Sequence, residues 1–193
     1  MRGMLLGLAS VVLAGCSTPS IGPGYTDDVV VRDDSFLGVW VGENGRSRFT
    51  VSPGKPPTYA VRMEEVAGDD DEPFEPAMLD VVVFELDGVR FLDVYPGKDE
   101  VERSVKRMGT LFWPVHNFCR VTMDAGSLRV EMLDAEWMNS EGDRLGVASS
   151  RSQDTTVLTG DAASIQRLLR RAQQAPGAFS DDALVLRREK EAP

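Results

Sequence analysis

The chain is poor in the residues that most often build reactive centres. His116 is its one histidine, and Cys16 and Cys119 are its two cysteines. A zinc site draws three or four ligands chiefly from these types, so the counts leave no set from which to assemble one. Cations are outnumbered, with 21 Lys and Arg against 31 Asp and Glu, for a formal net charge of −10. That balance argues against nucleic acid, whose binders need basic patches to release counterions. It also argues against a body that lies flat on anionic headgroups. Neither G-x-S-x-G nor a phosphate loop occurs; Pro53-Gly54-Lys55-Pro56 lacks the glycine spacing and the hydroxyl after Lys. The acidic run Asp69-Asp70-Asp71-Glu72 lacks the alternating ligands and Gly of a calcium loop and reads as solvated.

Long apolar runs are missing too. The stretch Met4–Leu13 falls well short of the ~20 residues a membrane-spanning helix needs. A basic Arg2, a short apolar stretch and small residues after it form a secretory signal over 1–15 instead. Its end, Leu13-Ala14-Gly15-Cys16, resembles the lipobox of bacterial lipoproteins. In that family diacylglycerol is attached to the Cys thiol, the chain is cut before it, and the new amine is often acylated. The resemblance implies that Cys16 is the lipid attachment site and the membrane a partner through that lipid. Ser17 rather than Asp follows it, which in the family implies the outer membrane, facing the periplasm, over the inner membrane. Two or three acyl chains hold stably where one holds marginally. With Cys16 acylated, Cys119 has no partner within the chain, which removes a disulfide framework.

Residues 17–34 are rich in Pro, Gly, Ser and Asp without helical periodicity, so 16–34 is expected to be a lipidated Cys and flexible tether, with Val29–Val31 able to add a short strand. Residues 35–193 are expected to form one β-rich domain. Period-two patterns recur through it. Phe36–Gly42 and Arg46–Ser52 flank an Asn44-Gly45 turn; Ala77–Leu86 and Val89–Tyr95 flank Asp87-Gly88; Val115–Met123 and Leu128–Leu133 flank Asp124-Ala125-Gly126. Tyr59, Val61 and Met63 alternate with polar neighbours to give another strand. Ile165, Leu168, Leu169 and Ala172 fall at i, i+3, i+4 and i+7, predicting an amphipathic helix near 161–174 with Asp161 as N-cap. Ala183–Leu186 returns to the sheet. The expected fold is mainly β: an antiparallel meander closed into a barrel or strongly bent sheet, with that one helix packed over Val81–Phe84, which is apolar on both faces.

The stretch Pro114-Val115-His116-Asn117-Phe118-Cys119-Arg120 brings the lone histidine close to a cysteine. On a strand, residues three apart point to opposite faces, so Cys119 faces the core while His116 faces solvent or a loop. A Cys–His nucleophilic pair needs hydrogen-bond reach, which this geometry denies. No catalytic set, cofactor or metal site is therefore expected. Asp80 and Asp93, each inside an apolar strand, are the carboxylates to examine for a hydrolase working on the envelope. Trp40, Phe112 and Trp113 are candidates for a ligand or partner surface, because Phe112-Trp113 sits in a connection where two exposed aromatics are unusual.

Gly38-Val39-Trp40 resembles the G-x-W start of the first lipocalin strand, and a helix after the main barrel strands is also lipocalin-like. That resemblance implies a late Arg packed on the Trp, which falls at Arg187 or Arg188. More broadly, Phe91–Pro96, Pro114–Phe118, Leu133–Trp137 and the Leu158-Thr159-Gly160-Asp161 helix start resemble uncharacterised bacterial envelope proteins, which implies a shared fold and no known activity. The functional expectation is a lipid-anchored, non-catalytic domain that binds a small apolar ligand or an envelope protein partner. A structural or assembly accessory of the outer membrane is the second reading.

Overall fold

A computed structural model describes residues 18–65, 75–109, 113–141, 144, 147–152 and 155–189. Cys16 and the rest of the signal-like start, the acidic run at 69–72 and Phe112 lie outside the described residues. Among those described, the strands are β1 (Gly38–Gly42), β2 (Ser47–Pro53), β3 (Tyr59–Glu65), β4 (Ala77–Leu86), β5 (Val89–Pro96), β6 (Asn117–Asp124), β7 (Ser127–Met132), β8 (Ser149–Ser152), β9 (Thr155–Leu158) and β10 (Leu184–Arg188). The first seven run as an antiparallel meander, and β10 pairs with both β7 and β1 to close an eight-stranded barrel. Asp87 and Gly88, at φ 51° and 79°, supply the left-handed turn that joins β4 to β5.

The fold is therefore mainly β and lipocalin-like, and the Trp–Arg feature that the resemblance implies is present. Trp40 is 1% exposed, and its Nε1–H donates to the Phe36 carbonyl at 2.9 Å. The Arg188 guanidinium lies 4.4 Å above the Trp40 ring and donates to the carbonyls of Leu37, at 2.7 Å, and Ser35. Gly38 is required here twice over: its φ is +124°, and a Cβ would come within 2.8 Å of that guanidinium. With Phe36 and Tyr59, these residues close one end of the barrel.

Three helices are found among the described residues: α1 (Lys98–Met108), α2 (Ala135–Glu141) and α3 (Ala162–Ala172). The expected helix is α3, capped by Asp161, whose side chain accepts from the Ser164 N–H at 2.8 Å. It lays Ile165, Leu168, Leu169 and Ala172 on Phe84, Leu86, Phe91 and Phe118, covering the outer face of β4–β6. Each fully buried side chain there contributes about 1.5–3 kcal/mol of transfer free energy. The expectation of a single helix is corrected by α1, in the connection from β5 to β6, and by α2, which with the β8–β9 hairpin adds Met138 and Leu158 to the same outer cluster as α3. Among the described residues, no helix is long and apolar enough to cross a membrane.

The segment expected to be a flexible tether is, over 18–34, laid along the barrel. The backbone N–H and C=O of Ser20 exchange 2.8 Å hydrogen bonds with His116, and Leu158 N–H donates to Pro19 at 2.8 Å. Gly24 passes so close to Phe118 that a Cβ would meet its ring at 2.6 Å. Val30 then makes a single bridge to Phe84, so the short strand suggested for Val29–Val31 is reduced to one pairing after a 3-10 turn over Asp27–Val29. Small residues that read as linker here serve close approach.

Candidate functional site

Residues paired across antiparallel strands share a face, so register identifies the barrel lining. Trp40 pairs with Phe49 and Phe49 with Met63. Val61 pairs with Leu79, Val81 with Val94, Cys119 with Met132, and Val130 with Leu184. At the closed end this face is solid: Phe36, Trp40, Tyr59, Val83, Val121, Leu128 and Leu186 form one buried cluster. Toward the open end the same face is less deeply buried and mixes apolar side chains with Ser47, Glu65 and Asn117. Phe49, Met63, Leu79, Val94 and Met132 are only half-buried, and Leu184 is 40% exposed. These inward-facing side chains mark the open end, called the mouth below, as the less tightly covered end of the barrel.

One side of that mouth is rimmed by α1, which joins β5 to β6. Val101, Ser104, Val105 and Met108 fall at i, i+3, i+4 and i+7, a single helical face. Ser104 is buried, whereas Val105 and Met108 stay 44% and 45% exposed. Arg103 is tied to Glu100 at 2.6 Å and Glu75 at 3.5 Å, but Lys106 and Arg107 make no ion pair among the described residues. Trp113, just past the helix, is 70% exposed.

The outer wall carries a polar cluster that strand alternation alone does not reveal. Asp93 and His116 lie on neighbouring strands, and His116 Nδ1 sits 2.6 Å from Asp93 Oδ1. The carboxylate is 2% exposed, and its other oxygen accepts the Gly24 N–H at 2.9 Å. The Tyr95 ring lies 4.4 Å from the imidazole, tilted 32° to it. Burial pushes the Asp80 carboxyl above its ordinary range; burial, and then the Asp80 charge, raises the Tyr95 phenol as well. Tyr25 is raised first by burial and then by Asp93, Asp27 and Asp80.

His116 faces outward, as alternation implies, against the strap rather than open solvent: its side chain is 16% exposed and held against Asp93. Asp93 lies on the same outer face, buried beneath the N-terminal strap that it anchors. Cys119 faces the barrel interior, where burial, and then the Asp93 charge, pushes its thiol up to about 12, so the Cys–His pair is not assembled. Of the aromatic candidates, Trp40 belongs to the closed-end core and Trp113 to the open-end rim. Trp137 lines a separate surface hollow of about 440 Å³ with Glu141, Arg144 and Arg171.

The fold and the mouth together define a lipocalin-like barrel with a less tightly covered open end. Comparison with family models, with curated proteins and with solved structures finds no match for the chain.

Proposed function

We propose that the chain is a lipid-anchored lipoprotein facing the periplasm from the outer membrane, whose barrel is a non-catalytic domain that takes a small apolar ligand into its mouth. The observation that carries this reading is the ring of inward-facing, half-exposed Phe49, Met63, Leu79, Val94, Met132 and Leu184 above a packed closed end. Pockets for apolar molecules are concave and lined mainly by such side chains. The anchoring rests on Leu13-Ala14-Gly15-Cys16. Asp93 is disfavoured as a hydrolase carboxylate because it already spends both oxygens, one on His116 and one on the strap.

Titration of the purified chain with a fluorescent long-chain fatty acid tests the ligand reading. Saturable binding is expected, weakened roughly tenfold or more, about 1.4 kcal/mol, by Leu79→Arg, which places a charge in the mouth. Unsaturable binding, or equal affinity in the variant, would remove it. The second reading, a structural or assembly accessory of the outer membrane, is favoured by one observation: the exposed rim of Val105, Met108 and Trp113.

A further inference from the structure

We propose that the barrel stands mouth-down on the bilayer, with the uncovered stripe of α1 and Trp113 in the headgroup region and Lys106 and Arg107 against anionic phosphates. This rests on the acylation of Cys16 proposed above. Its first support is the length of the leash. Cys16 stands two residues before Thr18, which is 2% exposed and leads directly into the hydrogen bonds that pin Pro19 and Ser20. Two residues reach no further than about 7 Å. The bilayer holding the acyl chains must therefore come that close to the barrel wall.

The pinned wall belongs to the mouth end. Ser20 is bridged to His116, which immediately precedes β6, and β6 starts at the open end. Trp113 lies three residues before His116, so at most about 10 Å of chain separates them. The surface this brings to the membrane has interfacial chemistry. Val105, Met108 and Trp113 are 44%, 45% and 70% exposed, and Lys106 and Arg107, which make no ion pair among the described residues, sit on the same last turn of α1. A helix end that interleaves apolar, aromatic and basic side chains suits the headgroup layer, where Trp is favoured.

Charge adds selectivity. The whole chain is acidic, at −10, so the body is repelled by anionic lipid in most orientations. Lys106 and Arg107 make the tip of α1 beside Trp113 basic, while Asp99, Glu100 and Glu102 at the helix start and Glu75 beside it are acidic, so the attraction is confined to that tip. A protein partner on the same rim would have to fit between it and a bilayer held within the leash, which is why the lipid surface is the occupant named.

The test uses the full acylated chain, purified from membranes and reconstituted in phosphatidylethanolamine–phosphatidylglycerol vesicles, with intact mass measured to establish acylation. Acyl-brominated lipids should quench tryptophan emission, and Trp113→Phe should cut that quenching roughly twofold or more, since Trp40 is buried in the barrel and Trp137 is half-buried against the outer cluster away from the rim. Lys106→Glu with Arg107→Glu should lower it at low salt and less so at high salt. Equal quenching in the wild type and Trp113→Phe, with acylation intact and the chain vesicle-bound, would overturn the mouth-down orientation alone. Absence of the acyl mass would overturn the anchoring reading, and the orientation with it. A photoreactive residue at position 113 that captures protein and no lipid in cells would also overturn it.

Discussion

Arg188 does three things at once for the closed end: it covers Trp40, and it ties down the carbonyls of Leu37 and Ser35. Arg188→Lys keeps the charge but loses the planar stack and the forked donors. It should cost about 1–2 kcal/mol in urea unfolding, against about 3–5 kcal/mol for Trp40→Ala, which opens a core cavity. Alternation placed Cys119 in the barrel, and its thiol should stay unlabelled by maleimide in the folded chain at pH 8 yet react on unfolding. Two carboxyls carry pH dependence of opposite sign. The Arg120 guanidinium hydrogen-bonds Glu131 and holds it below its usual 4.5 against the opposing effect of burial. That stabilisation is whole above this value and is lost as the pH falls through the lower folded one. Glu131→Gln should therefore cost about 1–3 kcal/mol at pH 7 and progressively less in acid. Asp80, raised by burial, burdens the folded state once ionised. Asp80→Asn should stabilise at neutral pH, with the gain fading as the pH drops through the carboxylate range. Thermal midpoints across pH would separate the two. Of these residues, Arg188 was legible only as one of two. Choosing it over Arg187 needs the pairing of Trp40 with Arg188 across strands that lie far apart in the chain. Asp93 and His116 were likewise read singly, because their apposition depends on a β5–β6 register set across the intervening α1.

Among the elements, the barrel hairpins and α3 were plain in the sequence, because turn residues and a 3.6-residue stripe announce them locally, whereas the β8–β9 hairpin was not foreseen. The helix α1 was legible in principle and passed over. Val101, Val105 and Met108 share one face, Asp99 and Glu100 open the first turn, Lys106 and Arg107 occupy the last, and Gly109 ends it. Its short stripe is weak beside the strand signals on either side. The N-terminal strap was misread for a different reason. Pro, Gly and Ser give the composition of a linker, but Gly24 is there because the chain must pass against Phe118 while donating to Asp93. Gly24→Val should lift the strap from the wall. Hydrogen exchange at the Ser20 and His116 amides should then accelerate, with about 1–3 kcal/mol lost overall from the steric conflict. Unchanged protection at those two amides would mean that the strap is held independently of Gly24.

At the scale of the whole molecule, the barrel is asymmetric along its axis. One end is sealed by Phe36, Trp40, Tyr59 and Arg188; the other presents half-exposed apolar side chains and carries α1 on its rim. On the proposed acylation of Cys16, the leash falls at the open end and the seal at the other, which is why the proposed function is placed at the mouth. The polar outer wall, with Asp93 and His116 bound to the strap, maintains the shape that holds the mouth in place. None of this asymmetry is visible in a linear pattern, since strand alternation marks which residues face inward but not how well each level of the barrel is filled. Native mass spectrometry of the chain extracted from its own membranes tests the account most directly. It predicts the mass of an acylated chain carrying a non-covalent apolar passenger that Leu79→Arg loses. An acylated chain with no passenger, or a passenger retained by Leu79→Arg, would contradict it.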